Sequence, residues 1–303
     1  TLSRRAALRA KKRSSSVNLA IAAKDIYAEL EPSDLLNRHA WLFRETWVEE
    51  SADEIEEIET VDFDKREERI HKLRVEALRE IYYDRGITGL LEIAHQGKAS
   101  WIIGRLAATS ILSLDKLCTL IQLATKPILT NQEDNHTHKS LIAGSLCAIA
   151  DNNKREQVIT EASSKLSDDD TVKLLMLAPF GKGTWNLVDK LDTAAQDKYW
   201  DEVAPDWIHN PEEDNRESVD RLMKARRPRA AFSCIRFHPE KISEEALYQL
   251  LTEVAKGGND KPGQYMLEHY AVEKAFEHLN ASSKLTLEEK AELEFSYLGC
   301  LFL

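Results

Sequence analysis

"LLMLAPFGKGTW", residues 174–185, sets a glycine–lysine pair behind a leucine-rich run, and the fold turns on what this stretch is. A phosphate loop here would join a strand to a helix and imply an α/β protein. A corner between helices would imply the opposite. The phosphate loop requires G-x-x-x-x-G-K-[ST], so that glycine amides surround the phosphates and a hydroxyl reaches magnesium. Met176 stands where the first glycine belongs, and Gly183 stands where the hydroxyl belongs. The run before it opens on Ser167 and the acids Asp168 to Asp170, a helix-start pattern, and it is rich in leucine, not in β-branched residues. The stretch is therefore expected to be a helix end and a corner, with Gly181 as C-cap and Gly183 in the turn before the next helix.

Composition extends that expectation to the whole chain. In 303 residues there are only 11 glycines and 8 prolines, too few for the frequent turns of a many-stranded β protein. Hydrophobic residues at 43% and charged residues at 31% are enough for a sizeable core. No window approaches the roughly 18 to 20 apolar residues that cross a bilayer. No apolar segment of a secretory signal follows the basic N-terminus. Cys118, Cys147, Cys234 and Cys300 are scattered through apolar stretches, the pattern of reduced, buried thiols in a cytoplasmic protein and not of a disulfide framework.

The helical period starts at Val17 and continues throughout. "SDLLNRHAWLFRETWV" offers Leu35, Ala40, Leu42, Phe43 and Trp47 to a core, and "FDKREERIHKLRVEALREIYY" offers Ile70, Leu73, Ala77, Leu78 and Ile81. Between them lies the acidic run of residues 49–64, expected as a solvated loop. Shorter helices follow, with start signals at Ser113, Ser167, Asn210-Pro211, Ser243 and the capping box Thr286 to Glu289. These starts recur at intervals of roughly 35 to 55 residues, the range of two-helix repeats, without a tetratricopeptide or ankyrin signature. The expected fold is all-α, a HEAT-like or irregular α-solenoid of antiparallel helix pairs, with a compact all-α domain as the alternative. Residues 1–16 form a basic leader, part of a preceding helix or disordered, and residues 17–303 form the array. The uncapped apolar finish "LEFSYLGCLFL" is the pattern of a fragment of a longer chain.

Chemistry is sparse. "NQEDNHTHKS" gathers Glu133, Asp134, His136 and His138, side chains able to ligate a divalent metal. A polar inter-repeat loop is the preferred reading, since no third histidine or cysteine lies at a useful spacing and H-x-H does not suit one face of a helix. No metal site or cofactor is therefore assigned. No nucleophile–base grouping stands out, so the chain is expected not to be an enzyme. The strongest binding candidate is "RLMKARRPRAAFSCIRF", with Arg221, Lys224, Arg226, Arg227, Arg229 and Arg236 around Pro228. These cations fit a phosphate, a nucleic-acid backbone or an acidic protein surface, or they complement a helix C-terminus. Trp200 and Trp207, flanking Pro205, are the tryptophans best placed to face a partner. The formal net charge of -11 opposes general affinity for nucleic acid.

The segments "KYWDEVAPDW", "LMKARRPRAAFSCIRF" and "AVEKAFEHLNASSKLTLEEKAELEFSYL" resemble the degenerate helical-repeat regions near the C-terminus of large bacterial proteins. They are similar to the sensor arrays that follow the ATPase in STAND-type anti-phage proteins, over roughly the second half of the chain. The resemblance implies a non-catalytic module that recognises a protein, with ATPase and effector elsewhere. It transfers no residue roles. The expected function is thus a scaffold for a protein partner, away from membranes, with nucleic-acid binding through residues 221–236 as the alternative.

If Leu175 and Trp185 both point into a core, replacing either with alanine lowers stability by a few kcal/mol, on the order of 2–5. Thermal unfolding of Leu175→Ala and Trp185→Ala tests this, and an unchanged Tm would show that the helix phase is misassigned.

Overall fold

A computed structural model describes residues 32–44, 63–130, 135–205, 215–260, 269–281 and 284–298. Among these residues the chain is helical with no strand. The basic leader, the helix expected from Val17, Trp47 and most of the acidic run lie outside them. Its contacts divide the chain into two compact units, residues 1–150 and 151–303.

The first unit contains α1 (Leu35–His39), α2 (Phe63–His95), α3 (Ser100–Leu106), α4 (Leu114–Leu129) and α5 (Asn135–Cys147). Asp34 caps α1, accepting from the Asn37 amide at 3.0 Å. The helix is shorter than its amphipathic run predicts. It tightens to a 3-10 turn at Ala40–Leu42 and stops at Phe43. The Phe43 and Arg44 carbonyls accept instead from the Ala99 and Lys98 amides, at 3.2 and 3.1 Å. A tertiary contact has replaced the next helical turn. Gly97 makes this possible, because a Cβ there would overlap the Phe43 carbonyl.

The long element α2 is broken at Gly86, whose φ of 63° lies in the left-handed region that favours glycine. Ile70, Ala77, Leu78 and Ile81 are buried before the break, and Leu90, Ile93 and Ala94 after it. Arg74 is buried among them, with Nε donating to the Leu42 carbonyl at 3.0 Å, and burial pulls its pKa down.

The tightest crossing in this unit joins α3 to α5. A Cβ on Gly104 would strike the Leu141 carbonyl oxygen, and one on Gly144 would strike the carbonyl of Trp101. Each glycine therefore admits the other helix's backbone. Ser145 closes the crossing, its Oγ lying 2.9 Å from the Leu141 oxygen and 3.2 Å from that of Gly104.

The second unit contains α6 (Asn152–Ser163), α7 (Asp168–Leu175), α8 (Lys182–Val188), α9 (Thr193–Glu202), α10 (Asn215–Lys224), α11 (Pro228–Ile235), α12 (Glu244–Lys256), α13 (His269–Asn280) and α14 (Leu287–Leu298). Its principal packing is between helices one or two places apart along the chain. Ser167 and Ser243 cap α7 and α12 as expected. The box at α14 is reciprocal, Glu289 N to Thr286 Oγ1 at 3.2 Å and Thr286 N to Glu289 Oε2 at 2.8 Å.

The stretch 174–185 is a corner between α7 and α8, and Leu175 and Trp185 are both fully buried. The role of its glycines differs from expectation. Gly181 is the N-cap of α8 in extended backbone, its carbonyl accepting from the Thr184 and Trp185 amides at 3.0 Å, and Gly183 lies inside the helix. The start moves forward because Thr184 Oγ1 donates to the Pro179 carbonyl at 2.7 Å, which ties the first turn to the loop before it.

Gly104→Ala and Gly144→Ala are each expected to destabilise the chain by about 1–3 kcal/mol, since backbone and not a mobile side chain must yield. Chemical denaturation checks this, and a midpoint shift no larger than that of an exposed-helix Ser→Ala control would refute the close crossing.

Candidate partner-binding surface

The basic stretch does not form one patch. Arg221, on α10, directs its guanidinium inward across the surface of the unit. It bridges Asp189 with two bonds, Nη1 to Oδ1 at 2.8 Å and Nη2 to Oδ2 at 2.9 Å, and Nε donates to Glu217 at 3.0 Å. The same group lies over the rings of Trp185 and Trp200, 5.5 and 5.4 Å from their centroids. Phe180 stands edge-on to both tryptophans, and Tyr199 to Trp200. Two sequence candidates, Arg221 and Trp200, thus meet in a cluster held together by internal partners. The Arg221 guanidinium holds the Asp189 carboxyl below its ordinary value, and burial raises the Tyr199 phenol.

Arg227 is buried, at 1% exposure. Its Nη1 donates to the carbonyls of Trp200 and Val203, each at 2.8 Å, and its Nε lies 3.5 Å from Asp260. The end of α10 explains how it gets inside. Arg227 N donates to Leu222 O and Arg226 N to Met223 O, both at 2.9 Å, the paired bonds of a Schellman motif. The left-handed position of that motif falls on Arg226, with φ of 57°, where glycine is usual. The next residue then turns into the core. Asp260 also accepts from the Arg229 amide at 2.6 Å, at the start of α11.

Lys224 and Arg226 remain exposed. Arg226 lines a cleft of about 460 Å³ with Met223, Pro228, Glu253 and Lys256, in which Lys256 is paired with Glu253 at 2.9 Å. Arg236 belongs elsewhere, to a groove of about 350 Å³ at the far end of α11. Its guanidinium lies 4.6 Å from the ring centre of Phe237, and Lys274 lies over Tyr270 at 5.7 Å. Phe237 is 46% exposed and Tyr270 59%, so two large rings stand in water along one groove. Glu277, paired with Lys274 at 2.6 Å, and Glu240 supply acids to the same groove. Trp207 lies outside the described residues.

The histidine-rich stretch also separates. Glu133 and Asp134 lie outside the described residues. His136 is exposed on α5, whereas His138 is buried with its Nε2 3.0 Å from Nε2 of His95. Burial of its sulfur pushes the half-buried Cys234 thiol up to about 12, away from the reactive thiolate form.

Sequence reasoning missed Asp189, Asp260, Phe237, Tyr270 and His95. Phe237 carried a usable signal, since it lies two residues before Pro239 and past the last apolar turn of α11. The two aspartates carried none, because no local spacing links them to their arginines. No known family, curated protein or solved structure matches this chain.

The Asp189–Arg221 pair makes a prediction about pH. Asp189 has a folded pKa depressed below 3.8, so the unfolded chain binds its proton first. The stabilisation is complete above that value and is lost as pH falls through the lower, folded value. Asp189→Asn should therefore lower Tm at about pH 6, with the gap to the parent closing below about pH 3. A gap that stays constant over that range, followed by circular dichroism, would show that the pair carries no pH-linked stability.

Proposed function

We propose that this chain is a non-catalytic helical-repeat scaffold, a HEAT-like or irregular α-solenoid of antiparallel helix pairs, that recognises a protein partner. The observation that carries the proposal is the groove of Arg236, Phe237, Tyr270 and Lys274. Aromatic rings and arginine are the side chains most enriched where proteins bind proteins. Rings left in water beside cations already aligned over them lose little freedom on binding. Helices that pack on neighbours one and two places along the chain support the repeat reading, because stacked pairs make contacts of that range. The likeness of the second half to sensor arrays gives such a partner a context, recognition within a larger bacterial defence protein.

Nucleic-acid binding through residues 221–236 is less well supported. Arg221 and Arg227 are committed to Asp189, Glu217 and Asp260, and counterion release requires cations that face the solvent.

The test is a capture experiment from the cytoplasm of the source cells, with the purified chain and a Phe237→Ala/Tyr270→Ala variant side by side at low and high salt. The expected result is a discrete protein partner that survives salt and is lost from the double variant, whose fold is checked by circular dichroism. A partner retained equally by the folded double variant would overturn the groove. Salt-labile nucleic acid in its place, lost on replacing Lys224 and Arg226, would establish the other reading.

A further inference from the structure

The first unit holds a feature independent of the partner groove. His95, on the last turn of α2, and His138, on the first turns of α5, bring their Nε2 atoms to 3.0 Å. Their ring planes are inclined at 70° with centroids 4.6 Å apart. An in-line N–H···N bond of that length would hold the centroids above about 5 Å, so the rings are bent toward each other. Metal–nitrogen bonds of about 2.0–2.1 Å to nitrogens 3.0 Å apart enclose roughly a right angle at the metal. That is the angle between neighbouring ligands in a square-planar or tetragonal centre, the geometry of Cu(II) and Ni(II) bound by imidazole.

We propose that His95 and His138 form a two-histidine site for a Cu(II) or Ni(II) ion.

Both ligands are held in place from outside the pair. The turn after His95 is pinned by Lys98 N to Arg44 O and Ala99 N to Phe43 O, at 3.1 and 3.2 Å. The helix carrying His138 is fixed by the Gly104–Gly144 crossing, so the convergence costs the metal no reorganisation. His138 is 8% exposed, while His95 reaches the surface and leaves a path for the ion. Among the described residues no third histidine, cysteine or carboxylate completes a cluster. The remaining positions fall to water or an incoming ligand, as in open metal sites.

The test uses the full chain without a polyhistidine tag, titrated with NiCl2 by calorimetry and with CuCl2 by electron paramagnetic resonance. The expected result is one saturable site per chain with nitrogen hyperfine structure, weakened about tenfold or more in both His95→Ala and His138→Ala. His136→Ala, on the other face of α5, should bind as the parent does. His95 is exposed at a helix end, so its variant decides the matter even if the buried His138→Ala fails to fold. Absence of saturable binding in the parent, or an isotherm unchanged in His95→Ala, would overturn the site.

Discussion

The second unit is organised around the burial of one cation. A guanidinium withdrawn from water must recover its hydrogen bonds and its counter-charge inside the protein. Arg227 does so by drawing together the end of α9, through the carbonyls of Trp200 and Val203, and Asp260, beyond α12. Asp260 in turn accepts from the first turn of α11. The strain is located one residue earlier, where Arg226 adopts a left-handed conformation that costs an L-residue roughly 1–2 kcal/mol. Two neighbouring contacts hold it there. Asn259 N donates to Arg226 O at 2.7 Å, and Gly258 lies so close to Pro228 that a Cβ would not fit. Fixing the start of α11 also fixes its far end, where Arg236 and Phe237 enter the groove, because an eight-residue helix is a rigid rod of roughly 12 Å.

The first unit reaches the same rigidity by the opposite means, omission of side chains. Gly104 and Gly144 weaken their helices by intrinsic propensity, by about 1 kcal/mol each relative to alanine. They are repaid by the close approach of α3 and α5, which Ser145 bonds across. Gly97 does the same for the turn after α2. The consequence is local precision: backbone contacts hold the turn just after α2 and the body of α5, and His95 and His138 lie within two helical turns of those contacts.

What was legible in the sequence was what is decided locally. Ser243 opens α12 as its start signal predicts, and the helix runs from Glu244 to Lys256. The Thr286–Glu289 box acts as its spacing requires. The corner at 174–185 was legible as a corner because a phosphate loop failed on named residues, while the cap role of Gly181 was not, since it depends on how Thr184 bonds back to Pro179. Partners distant in sequence were not legible at all. Arg221 finds Asp189 32 residues away, and His138 finds His95 43 residues away. A periodic pattern assigns a residue to a face; it cannot say which opposing side chain that face meets. For the same reason α1 ended early, truncated by amides that come from the turn after α2.

The basic stretch illustrates why residue type alone misleads about a partner. In a linear reading its six cations are equivalent, and their sum resembles a polyanion site. In the folded unit their free energies differ in kind. Arg227 stabilises through acceptors that water cannot reach, and Arg221 through a carboxylate and two indoles. Neither charge is available to displace counterions from a phosphate backbone. Lys224 and Arg226 face solvent by the α10 corner, whereas Arg236 faces a groove that also presents Glu240 and Glu277. A polyphosphate approaching that groove would meet acids as well as the cation, and the overall charge of -11 adds repulsion at longer range. A polypeptide, which can match both signs and cover two exposed rings, meets no such penalty. The chemistry of the groove, more than the count of arginines, is therefore what supports the proposal of a protein partner.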